Sequence, residues 1–99
     1  MTTFKRVMYC ITSKSGQFMV CLAPDGPVFS PMAVEAVITR NAWMEATTAI
    51  RHAKEISERF PGSFLGIGLL ELEGNANGDW SVTSSRCFPL QNTTPELIS

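Results

Sequence analysis

From Asn41 to Phe60 apolar side chains recur at the spacing of an α-helix, and this stretch limits the possible folds more than any other. At 100° per residue one arc holds Ala42, Trp43, Ala46, Ala49, Ile50, Ala53, Ile56, Ser57 and Phe60. The opposite arc holds Glu45, Thr48, Arg51, His52, Lys54, Glu55, Glu58 and Arg59, with Met44 and Thr47 among them. Asn41 is suited to an N-cap, and Phe60-Pro61-Gly62 is a stop signal. Arg51–Glu55, Lys54–Glu58 and Glu55–Arg59 are i,i+4 pairs, each worth a few tenths of a kcal/mol. Alanines at 46, 49 and 53 let such a helix lie close on a sheet, so it is expected to cover one sheet face.

The segments on either side read as strands. Phe4 to Thr12 is rich in β-branched and aromatic residues and ends in the turn-formers Ser13-Lys14-Ser15-Gly16. Gln17 to Ala23 is a second strand, stopped by Pro24-Asp25-Gly26-Pro27, and Val28 to Ser30 a short third. Val7, Tyr9 and Ile11 face one way and Phe4, Met8 and Cys10 the other, so both faces of the first strand are apolar. Pro31 to Arg40 suits either a strand or a short helix, and its β-branched Val34, Val37, Ile38 and Thr39 favour a strand.

After the helix, Phe64 to Glu73 and Asp79 to Arg86 form a hairpin across Gly74-Asn75-Ala76-Asn77-Gly78. The alternation of Trp80 and Val82 with Ser81, Thr83 and Ser85 marks a half-exposed edge strand. Gly66 and Gly68 share one face, which leaves a shallow groove or permits close backbone approach. The expected fold class is therefore α+β: a four- to five-stranded antiparallel sheet in the order β-β-(β)-α-β-β, with one amphipathic helix on one face. Residues 1–90 are expected to form the single domain and residues 91–99 a loosely ordered tail.

Composition narrows the function classes. The net charge is -1, far from the basic excess that binding to a phosphate backbone needs, so nucleic acid is not an expected partner. No apolar run reaches the length of a bilayer span and no signal-peptide pattern opens the chain, which predicts a cytoplasmic protein without membrane contact. Three irregularly spaced cysteines, Cys10, Cys21 and Cys87, argue against a disulfide framework.

No residue pattern specifies catalysis. His52 is the single histidine and sits on the polar arc; a Cys/His enzyme would need a thiol brought beside it. Glu71 and Glu73 share a strand face, but read as a solvated stretch before the turn. Asn75, Asn77 and Asp79 alternate like calcium ligands, yet Gly78 falls at the wrong offset and no bidentate Glu follows. No catalytic, cofactor-binding or metal-ligating residues are assigned, and no cofactor is expected.

What remains is surplus apolar surface. Hydrophobic residues make up 44% of the chain and charged residues 17%. One helix cannot cover both apolar faces, so a homodimer or a different protein is expected on the open face. Phe4, Met8, Cys10, Met19 and Met44 are the candidate interface. The leading expectation is a non-catalytic protein-binding, inhibitory or regulatory module acting by surface contact, of the kind that small phage or mobile-element accessory proteins provide. The alternatives are a small-molecule-binding domain using a cavity between helix and sheet, or a small Cys/His-dependent enzyme.

Overall fold

The structure, a computed structural model, describes residues 3–98. Its centre is an antiparallel sheet with strands β1 (Phe4–Thr12), β2 (Phe18–Ala23), β3 (Gly26–Ser30), β5 (Gly66–Gly74) and β6 (Trp80–Pro89) in the order β3-β2-β1-β5-β6. A two-residue strand β4 (Ala42–Trp43) also pairs with β1. Helices α1 (Ala33–Ile38), α2 (Ala46–Arg59) and α3 (Pro95–Ile98), with a 3-10 turn at Leu90–Asn92, complete the α+β chain. Among the described residues no helix is long and apolar enough to cross a membrane.

The α2 helix covers one sheet face through Ala46, Ala49, Ile50, Ala53 and Ile56, a spacing of three and four that keeps them on one stripe. Against them lie Tyr9 and Ile11 of β1, Met19 of β2 and Ile67 of β5. The helix begins four residues later than its apolar arc predicts. Ala42 and Trp43 are taken up by pairing with Cys10 and Tyr9, and Glu45 is the N-cap in place of Asn41. Of the charged partners along its outer face, His52 and Glu55 come within 3.9 Å; no i,i+4 ion pair closes among the described residues.

The opposite face is covered by the chain itself. Residues 33–38, within the stretch that suits either a strand or a short helix and whose β-branched residues favour a strand, form α1, with Ala36 fully buried and Ala33 and Val37 half-buried. They pack on Cys10, Phe18, Leu70 and Leu72, the even-numbered face of the sheet. Ser30 turns the chain into α1 by accepting the Met32 N–H at 3.1 Å. A Schellman turn closes it: Arg40, at φ 62, donates its N–H to Val37 O (3.1 Å), and Asn41 donates to Ala36 O (2.8 Å). The Asn41 side chain then ties this turn to β2 by donating to Val20 O at 2.7 Å, beside the β-bulge between Met19 and Cys21. The expected open face is thus covered in part by α1, while Phe4 and Leu22 remain exposed beyond it.

The expected tail contains a short helix. Residues 95–98 form a helical turn that buries Ile98 among the α2-side residues, and the Tyr9 hydroxyl donates to the Ile98 carbonyl at 3.4 Å. Thr93 accompanies it, buried and bonded through its hydroxyl to the Pro89 carbonyl.

Candidate functional site

Antiparallel pairing brings the end of β1, the start of β5 and the end of β6 to one end of the sheet, in the rows Thr12↔Gly66 and Gly66↔Pro89. The C-terminal turn of α2 and three connecting segments meet there, and together they enclose a cleft of about 680 Å³. Ser13, Lys14 and Gly16 come from the β1–β2 turn, Lys54 and Ser57 from α2, Gly62 to Leu65 from the α2–β5 connection, and Cys87 to Gln91 from the end of β6 onwards.

Local chemistry sets these walls. In the β1–β2 turn Gly16 takes φ 85, and the Ser13 hydroxyl accepts the Gln17 N–H at 3.1 Å. After α2 stops, the Ser63 N–H reaches Phe60 O (3.2 Å) and the Leu90 N–H reaches Leu65 O (3.2 Å), which fixes the connection to the C-terminal segment. Leu65, Phe88 and Leu90 give the cleft an apolar wall continuous with the α2-side core. At its mouth Phe64 stays 68% exposed, with the Lys14 ammonium 5.4 Å from its ring centroid. The floor is close-fitting: a Cβ on Gly66 would fall 2.7 Å from both the Phe88 carbonyl oxygen and Thr12 Oγ1.

The cleft's charge has one sign. Lys14 and Lys54 line it, no Asp or Glu does, and neither lysine is in an ion pair among the described residues. The hydroxyls of Ser57 and Ser63 make no hydrogen bond among the described residues. Two other grooves contrast with it. One of about 600 Å³ between the start of α1 and β6 has no charged lining. The other, about 310 Å³, mixes Lys5 and Arg6 with Glu71 and Glu73, Lys5 standing directly opposite Glu73 across the strands.

The residues singled out from sequence are dispersed. Of the candidate interface, Phe4 and Met44 are exposed and Met8 is half-buried. Cys10 and Met19 are 0% and 3% exposed on opposite faces, under α1 and α2 respectively, so the chain's own packing withdraws them from any partner. His52 stacks on Trp43 with ring centroids 4.8 Å apart, and no hydrogen bond links it to a thiol among the described residues. The Asn75 side chain accepts the N–H groups of Asn77 (2.9 Å) and Asp79 (3.2 Å), which explains the alternating oxygens of that loop as turn chemistry.

Cys10, Gly68 and Cys87 lie in one row across β1, β5 and β6. Two strand spacings, about 9–10 Å, separate the outer pair, beyond the Cα reach of a disulfide, and all three cysteines are free. Burial, then the neighbouring Cys87, pushes the Cys10 thiol up from 9.0 to about 12. Native alkylation at pH 8 is therefore expected to add two adducts, at exposed Cys21 and Cys87, and a third after denaturation. Mass spectrometry checks this. Because the folded state holds the Cys10 proton more tightly, stability is expected to be unaffected below pH 9 and to fall as pH rises from 9 towards 12.

Comparison with known proteins returns no matching family model, curated protein or solved structure.

Proposed function

We propose that the protein is a non-catalytic binding module whose working site is the cleft at the β1–β5–β6 end of the sheet, taking a small organic ligand. One observation carries this reading. Exposed Phe64 and half-buried Phe88 and Leu90 leave apolar surface, backed by the buried Leu65, along an open cleft of about 680 Å³ fringed by hydroxyls and lysines. That size and mixture are those of small-molecule sites, in which apolar walls supply contact and a few polar groups fix orientation. Native mass spectrometry and thermal-shift assay of the purified chain against a small-metabolite panel test it. Saturable one-to-one binding with a raised Tm is expected, and an unchanged Tm across acidic, neutral and basic members would contradict it.

A second reading, contact with another protein, has support at the sheet edges. β6 is a ten-residue terminal strand, mostly exposed, and its outer backbone groups are open to strand addition. A regulatory or inhibitory role would act through such an edge. Sedimentation that stays monomeric, with no added strand protection at residues 80–89 in hydrogen exchange with a partner present, would remove it.

A further inference from the structure

We infer that the ligand of the end cleft is an organic anion, a carboxylate or phosphate group carried on an apolar, flat body. This rests on the small-molecule reading of the cleft and goes beyond it by assigning the ligand's chemistry.

The whole chain carries eight Lys and Arg against nine Asp and Glu, so a region with two cations and no carboxylate runs against the overall balance. Lys14 and Lys54 reach the cleft from different elements, the β1–β2 turn and α2. Neither forms an ion pair among the described residues, although Glu58 is one helical turn from Lys54. Both lysines are exposed at the cleft, so an anion there is attracted by two positive charges and a cation is repelled by them. The Ser57 and Ser63 hydroxyls line the same cleft and can donate to the anion's oxygens.

The remainder of the cleft selects the ligand's body. Phe64, Phe88 and Leu90 offer ring faces and aliphatic surface. Against these surfaces a polyhydroxylated face would lose water without recovering hydrogen bonds, whereas an apolar face loses none. A flat apolar body can stack on Phe64, whose ring already lies near the Lys14 ammonium.

Isothermal titration with a matched series tests this: 2-naphthyl phosphate, 2-naphthoate, 2-naphthol, 2-naphthylmethylammonium, adenosine monophosphate and inorganic phosphate. The two naphthyl anions are expected to bind about tenfold or more tighter than 2-naphthol. The ammonium, adenosine monophosphate and inorganic phosphate are expected to bind more weakly still. In the Lys14→Gln/Lys54→Gln double variant the anions should fall to the level of 2-naphthol, whose affinity stays unchanged. Lys5→Gln, in the groove at the opposite end, should change nothing. Equal binding of 2-naphthol and the anions would overturn the anionic assignment and leave the small-molecule reading standing. Tighter binding of adenosine monophosphate than of 2-naphthyl phosphate would overturn the apolar body. Absence of binding by every member at millimolar concentration would overturn both the inference and the reading beneath it.

Discussion

Gly66→Ala is expected to destabilise the protein by about 2–3 kcal/mol, as insertion of a methyl group into a filled site does. The new Cβ would fall 2.7 Å from the Phe88 carbonyl oxygen and 2.7 Å from Thr12 Oγ1. Phe88 O is backbone within the β5–β6 ladder, so it cannot move without breaking the strand pairing beside Pro89. Gly78→Ala provides the contrast. No atom lies within 4 Å of its added Cβ, and only its φ of 84° opposes the change, a cost of about 1 kcal/mol. Urea unfolding of the two variants should show a clearly larger midpoint shift for Gly66. Equal shifts would mean that the strands relax around the added methyl, and that the close approach of β1 and β6 over β5 does not require a glycine there.

Leu70→Ala and Ile67→Ala are each expected to lower stability by about 2–5 kcal/mol, and Tm by roughly 10 °C or more. Both side chains are 0% exposed, but they lie on opposite sheet faces: Ile67 under α2, Leu70 under α1. If α1 closes the second face, the two losses are comparable, because each substitution opens a cavity in a sealed layer. A loss below about 1 kcal/mol at Leu70 would mean that this face is open to solvent in the isolated chain. Thermal unfolding monitored by circular dichroism separates the two outcomes.

The contrast between these faces also explains what could be read in the sequence. The α2 stripe was legible because five buried positions repeat at helical spacing over fourteen residues, long enough for periodicity to outweigh individual propensities. The hairpins were legible because Pro24-Asp25-Gly26 and Asn75 to Gly78 are strong turn chemistry. The α1 segment was not. Six residues are too short to establish a period, and Val34, Val37 and Ile38 carry strand propensity that tertiary packing overrode. A signal was present in Ala33, Ala36 and Val37, spaced three and four apart, together with Ser30 before and Asn41 after as turn-forming polar residues. Assigning Asn41 to the start of α2 concealed its role at the end of α1.

The cover over the even face bears directly on the candidate interface. With α1 read as a strand, the even face of the sheet lacked a cover, and Cys10 became part of an interface. With α1 in place, Cys10 is interior and cannot itself form part of an interface. The cleft was illegible for a different reason. Its lining comes from four separated stretches, near residues 12–16, 54–57, 62–66 and 87–91. None of these forms a motif, and only the antiparallel register gathers them. Lys14 and Lys54 are ordinary solvated lysines until the fold places them on one opening.

Binding at the end cleft, and not elsewhere on the protein, is the central expectation. Amide chemical shifts followed during titration with 2-naphthyl phosphate locate it directly. The largest changes are expected at residues 13–16, 62–66 and 88–91, with smaller ones at the C-terminal turn of α2. Changes centred on residues 31–34 and 81–85, the uncharged groove between α1 and β6, would contradict the account, as would an unchanged spectrum at millimolar ligand.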